Sequence, residues 1–163
     1  MNRTYTTRDF IKRMDTILNR FPDISIGTDI IVGFPGEDED RFFQTKSLLN
    51  LLPFSYLHIF PYSERPNTRA LYLNDKVKDA TKKRRVAELK EIDKIKRSIY
   101  IKKNIGIKQS AVSEKRYKNG IFCTTSNYIK VLTEDKSISE GSLVDIVITG
   151  YKEETAIGKL IKN

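Results

Sequence analysis

Thiols are almost absent from this sequence: Cys123 is its one cysteine. That excludes an internal disulfide, and it excludes a cysteine-ligated iron–sulfur cluster or thiolate zinc site assembled within the chain. Histidine is as scarce. His58 has no second histidine to work with, so neither a Ser-His-Asp arrangement nor a metal constellation can be assembled, and a lone strand histidine reads as a packing residue. No apolar run reaches the roughly 18 residues needed to span a bilayer. The opening, MNRTYTTRDF, lacks the apolar stretch of a signal peptide. A reducing compartment, the cytoplasm, is the expectation, with no membrane partner.

What the sequence has in excess is positive charge. Thirty Lys and Arg stand against 21 Asp and Glu, a formal net charge of +9. From Lys76 to Lys118 there are sixteen basic residues and five acidic ones, so this segment alone carries more than the whole surplus. Clustered cations are what a polyphosphate-binding surface requires, because each neutralised phosphate releases condensed counterions. A solvated lysine-rich helix has the same composition, and charge alone leaves both readings open.

Three blocks follow one another. Residues 1–73 alternate helix and strand. Thr6 or Thr7 can cap a helix whose apolar positions Phe10, Ile11, Met14, Ile17 and Leu18 recur at helical spacing, with Pro22 beyond its end. ISIGTDIIVGF is almost continuously apolar, as a strand buried on both faces would be. DEDRFFQTKSLLNLL places acids in the first turn of a second helix, and FSYLHIF is a second strand. Short connections imply parallel strands with right-handed crossovers. Two such strands do not close a sheet, and their open flanks predict a loosely folded or self-associating half. Residues 74–104 form one basic helix from about Asp79, with Val86, Leu89, Ile92, Ile95 and Ile99 as a single apolar stripe. Residues 105–163 change period to four or five short antiparallel strands, the pattern of a small barrel of oligonucleotide-binding (OB) type. YKNG followed by IFCTTS is a tight hairpin in which Asn119 and Gly120 supply positive φ.

Two segments carry candidate chemistry. In TDIIVGFPGE, Gly33 and Gly36 let the backbone pass where a side chain would clash, and Pro35 stiffens the loop. Ligands of α/β sheets sit beyond the carboxyl ends of strands, where this loop lies. Glu37 could accept hydrogen bonds from a ribose or an amine, or could be a helix-start acid serving the dipole. In LHIFPYSERPNTRA, the residues Tyr62, Ser63, Arg65, Asn67, Thr68 and Arg69 offer a dense set of donors, and the Arg65 fork suits a carboxylate or phosphate. Cys123, within an apolar strand, reads as a buried small hydrophobe.

MNRTYTTRDF, TDIIVGFPGE, LHIFPYSERPNTRA and KKRRVAEL, in that order, resemble the carboxyl-terminal half of a radical S-adenosylmethionine tRNA methylthiotransferase, with LHIFPYS closest to the branch acting on threonylcarbamoyladenosine beside the anticodon. NYIKVL and TAIGKLI resemble that family's terminal TRAM domain. The resemblance implies an α/β fold: the end of a partial (β/α) barrel, then a long basic helix, then a small all-β TRAM or OB-like barrel. It implies S-adenosylmethionine near Gly33, Pro35, Gly36 and Glu37, and substrate near Tyr62, Ser63, Arg65 and Thr68. It implies tRNA, through its anticodon stem-loop, as partner. The candidate phosphate contacts are Lys82, Lys83, Arg84 and Arg85 on the helix and Lys115, Arg116 and Lys118 in the tail. The family's [4Fe-4S] clusters need a CxxxCxxC motif and three further cysteines, none present here. The chain therefore supplies no catalytic residue or metal ligand, is expected to be inactive alone, and would need the enzyme's amino-terminal half. Asn67 stands where glycine is usual, which requires a left-handed asparagine, and RALYL departs from the usual continuation of the substrate loop. The competing expectation is a stand-alone basic RNA-binding module without catalysis.

Overall fold

A computed structural model describes residues 4–118, 120–135 and 137–161. The elements are α1 (Thr7–Arg20), β1 (Gly27–Val32), α2 (Glu39–Leu51), β2 (Tyr56–Pro61), a 3-10 turn (Arg69–Tyr72) and α3 (Asp79–Lys103). Five strands follow: β3 (Lys108–Tyr117), β4 (Gly120–Thr125), β5 (Lys130–Thr133), β6 (Leu143–Lys152) and β7 (Thr155–Leu160). They make two compact units, residues 1–96 and 97–163. Most of the length of α3 falls in the first of these units.

In the first unit, Thr6 rather than Thr7 caps α1. Its hydroxyl accepts the Asp9 N–H at 3.2 Å while the Asp9 carboxylate accepts the Thr6 N–H at 2.9 Å, a reciprocal capping box. Strands β1 and β2 pair in parallel from Gly27 opposite Tyr56 to Val32 opposite Pro61. One core gathers Met14, Ile30, Val32, Phe42, Leu49, Leu57, Leu89 and Ile92. The expectation of a strand buried on both faces is corrected here. Ile30 and Val32 are buried, whereas Asp29 is exposed and Ile31 is 40% exposed, because helices cover one face of this sheet only. The apolar stripe of α3 is corrected too. It is buried at Leu89 and Ile92 but ends there, leaving Ile95 and Ile99 about 60% exposed.

The edges of this sheet differ. The Tyr62 N–H donates to the Val32 carbonyl, so the even-numbered amides of β2 face β1 and the odd-numbered ones face outward. Of the outward ones, the Leu57 N–H donates to Asp93 Oδ1 of α3 at 2.6 Å, and Pro61 has none to give. Strand β1, among the described residues, pairs only with β2.

In the second unit the five strands close on themselves in the order β3-β4-β5-β7-β6, with β6 returning to β3. Four of the pairings are antiparallel; β5 and β7 run parallel, against the all-antiparallel expectation. The interior holds Ala111, Ile121, Cys123, Val131, Ile146, Ile148 and Ala156. The β3–β4 hairpin has the expected two-residue loop, but Lys118 supplies positive φ (49°) and Asn119 lies outside the described residues. Gly120 sits within β4 for another reason: a Cβ there would stand 2.5 Å from the Thr133 carbonyl oxygen. A buried amide network joins the end of α3 to the strands. Asn104 Oδ1 accepts from Gln109 Nε2 (2.8 Å) and Asn127 Nδ2 (2.9 Å), while its own amide donates to the Tyr100 carbonyl.

Candidate functional site

The two sequence-singled loops meet at the carboxyl ends of β1 and β2, where parallel pairing places them side by side. Gly33 and Gly36 have φ of +76° and +83°, the left-handed region that the turn demands at both positions. A Cβ on Gly33 would also overlap the Lys82 side chain. The turn is closed by its own backbone: Glu37 N–H donates to the Phe34 carbonyl at 2.9 Å, and Gly36 N–H to the Asp75 carbonyl at 2.8 Å.

Glu37 acts on this loop. Its Oε2 accepts the Gly33 N–H at 2.5 Å and an Arg85 Nη1 proton at 2.7 Å. Arg85 is 2% exposed. It also donates to the Glu37 carbonyl (2.9 Å) and Glu39 Oε1 (2.8 Å), and its guanidinium lies 5.0 Å from the Phe42 ring centre. Only its Nε lacks a partner. A cation so enclosed cannot meet a phosphate on another molecule, so Arg85 leaves the set of candidate tRNA contacts. It anchors the loop to α3 instead. Arg85 and then Arg84 hold the Glu39 carboxyl below the ordinary carboxylate range by hydrogen bonds. Lys46 and Arg84 do the same to Glu88.

The second loop closes on the first. The Phe34 and Tyr62 rings meet edge to face with centres 5.2 Å apart, and Lys82 Nζ lies 5.9 Å from the Tyr62 ring centre. Phe34, Tyr62, Ser63, Arg65, Thr68 and Leu73 help to line an open hollow of about 830 Å³. All four predicted substrate residues are therefore together. The Tyr62 hydroxyl is buried without a hydrogen-bond partner, a costly arrangement unless another group supplies one. Asn67 has the left-handed φ of 62° that its position required.

Of the other candidate cations, Lys83 and Lys118 are exposed and Lys115 lies beside a β3 irregularity. Lys82 is 17% exposed and paired with Asp79. Arg84 is half exposed but bridges Glu39 and Glu88. Arg116 is exposed and donates to the Ile138 carbonyl.

Sequence reasoning missed one face. On the uncovered side of the sheet, Asp29 and Ile31 stand beside His58 and Phe60 in register, and Tyr56, His58 and Phe60 form a ring ladder with centres 5.1 and 6.5 Å apart. His58 is exposed there rather than packed. The alternation Tyr56-His58-Phe60 with Leu57 and Ile59 between was the available signal.

The described residues contain no group of three or more His, Cys, Asp or Glu that could hold a metal. Cys123 is fully buried, and burial, with Glu114 nearby, pushes its thiol pKa up, away from the thiolate. An iron–sulfur cluster does not fit these residues.

No protein-family model matches the chain. Individual relatives do. The threonylcarbamoyladenosine tRNA methylthiotransferase MtaB of Aquifex aeolicus (strain VF5) is 38% identical over 162 residues, 99% of this chain and 34% of that protein. The tRNA-2-methylthio-N(6)-dimethylallyladenosine synthase of Endomicrobium trichonymphae is 35% identical over 163 residues, 99% of the chain and 38% of its own length. By sequence, the chain is a relative of tRNA methylthiotransferases along nearly its whole length. The MtaB of Bacillus subtilis (strain 168) agrees, 33% identical over 158 residues, 93% of the chain and 35% of that protein. The chain thus spans about a third of the length of these methylthiotransferases. No described helix is long and apolar enough to cross a membrane.

Proposed function

We propose that this chain corresponds to the carboxyl-terminal part of a cytoplasmic radical S-adenosylmethionine tRNA methylthiotransferase. The product we assign is a methylthio group at C2 of threonylcarbamoyladenosine next to the anticodon. The observation that carries this reading is the end-to-end identity with the Aquifex enzyme, 38% over 99% of the chain. In it, β1 and β2 are the last strands of a (β/α) barrel whose inner face is the exposed one of Asp29, Ile31, His58 and Phe60. The closed five-strand order, with its parallel third-to-fifth pairing, supports an OB or TRAM-like module that holds the anticodon stem-loop.

The residues present limit what this part does. With no cluster ligands it holds no [4Fe-4S] group and starts no radical step. The Gly33–Gly36 turn and the hollow beside it fit the rim of an S-adenosylmethionine site, and that cofactor would supply the methyl chemistry when bound. Glu37 contributes by fixing the turn through Gly33 and Arg85. Tyr62, Ser63, Arg65 and Thr68 offer donors to the modified base, with the Tyr62 hydroxyl free to find its partner there. The exposed Lys83, Lys115 and Lys118 and, less freely, Lys82, Arg84 and Arg116 supply phosphate contacts.

A graft tests this. Residues 1–163 replace the matching third of the Aquifex enzyme, and tRNA nucleosides are analysed by mass spectrometry after anaerobic reconstitution. The 2-methylthio product is expected, and Gly33→Val should abolish it. A folded, cluster-loaded graft that makes no product sinks the reading. The closed second unit and the missing cluster ligands favour a second reading, an RNA-binding module without catalysis. A silent graft combined with tRNA binding by the chain alone would select it.

A further inference from the structure

The outer face of β3, β4 and β5 carries an arrangement that phosphate contacts alone do not explain. Tyr117, 46% exposed at the end of β3, and Phe122, half-buried on β4, have ring centres 5.3 Å apart. Lys118 Nζ lies 5.3 Å from the Tyr117 ring centre, and Lys130 Nζ lies 5.0 Å from that of Phe122. Leu132 pairs opposite Phe122 and extends the apolar floor. The exposed Lys115 precedes Tyr117 on β3, whereas Arg116 lies opposite the interior Ile121 and donates to the Ile138 carbonyl. Glu114 accepts from the Thr124 hydroxyl at 2.7 Å and pairs with Lys130 at 3.2 Å, and the exposed Glu134 directly follows β5. Lys115, Lys118 and Lys130 outnumber the two carboxylates, and all three are exposed.

We propose that Tyr117 and Phe122 form a stacking platform for unpaired RNA bases, with Lys118 and Lys130 taking the adjoining phosphates. This rests on the tRNA-binding reading above and deepens it. The argument is one of fit. Alternating rings and ammonium groups match a strand whose flat bases alternate with phosphates. A duplex buries its base faces against one another and offers these rings nothing to stack on. Gly120 aids the platform by letting β4 press against β5 where a Cβ would meet the Thr133 carbonyl oxygen.

The chain has no tryptophan, so Tyr117→Trp in the 163-residue chain is a sole reporter at the platform. Saturable quenching by octauridylate, and none by a blunt eight-base-pair RNA duplex at equal phosphate, is the expected result. In parallel, Phe122→Leu, which keeps apolar volume on the face, should weaken octauridylate binding about tenfold. Duplex binding and the salt slope should stay as they were, because stacking releases no counterions. Circular dichroism melts confirm that each variant is folded. If filter binding detects octauridylate but the reporter is silent and Phe122→Leu binds normally, the platform is overturned while tRNA binding through phosphates stands. Should neither RNA bind the unaltered chain at low salt, the RNA-binding reading itself falls, and the platform with it.

Discussion

The two units meet the problem of a small β-sheet in opposite ways. In the second, every strand has two neighbours, and the sheet encloses its own core of Ile121, Val131, Ile146 and Ile148, each fully buried. In the first, two strands leave one whole face to solvent, with Ile31 and Phe60 40% and 50% exposed. Closure removes the edges that invite other chains, whereas the open sheet keeps a face and an edge that only another element can complete. The candidate cofactor and substrate loops thereby fall in the unit with the open sheet, and the closed unit has none of them.

Substitutions placed in one unit at a time test this contrast. Arg85→Ala should have the largest effect, about 3–5 kcal/mol on the first unit, because it leaves Glu37 and Glu39 without their buried partner. Denaturant unfolding followed by amide exchange should show the loss in β1, β2 and α2, with the β3–β7 amides unmoved. Core truncations come next. Leu89→Ala and Ile148→Ala should each cost about 2–5 kcal/mol, but in different units. Two calorimetric transitions, each shifted by one variant alone, are expected; a joint shift would mean the units unfold as one. Gly120→Ala should cost about 1–3 kcal/mol by driving a methyl into the Thr133 carbonyl, readable as a lower melting midpoint of the second unit only. Smallest is the cap. Thr6→Ala should cost about 1 kcal/mol, seen as faster exchange in the first turn of α1.

Acid should erode both units. Glu39 and Glu88 in the first, and Glu114 and Asp145 in the second, titrate below their ordinary values of 4.5 and 3.8 because of hydrogen-bonded partners. Depressed carboxyl pKa values stabilise the folded state above the unfolded value, and that contribution disappears as pH falls through the folded one. A flat melting midpoint down to about pH 5, then a decline, is the expected profile by circular dichroism.

The element order was legible from period and punctuation, and α3 starts where Asp79 predicted. Both loops were found as well, because glycine at positive φ and a proline-bounded donor cluster leave marks in sequence. What covers a surface was not legible. KKRR reads as one run of surface charge, yet Arg85 falls on the same helical face as Leu89 and Ile92, at spacings of four and seven, and that period was the clue to its burial. The exposure of Ile31 and Ile95 depends on which neighbours the fold provides, and no local pattern encodes it. The β5–β7 pairing joins strands separated by the whole of β6, beyond the reach of turn chemistry.

The asymmetric edges of the first sheet make it grow in one direction. Asp93 and Pro61 remove two of the outward amides of β2, so a strand from another molecule finds its less obstructed edge along β1. Such a sheet behaves as a monofunctional unit does in polymer chemistry: it can be joined once and then terminates. Self-association through it should therefore stop at pairs, with sedimentation velocity showing dimers and no ladder of larger species. A free β1 edge beside a partly blocked β2 edge favours one pairing over the repeated pairing of a fibre.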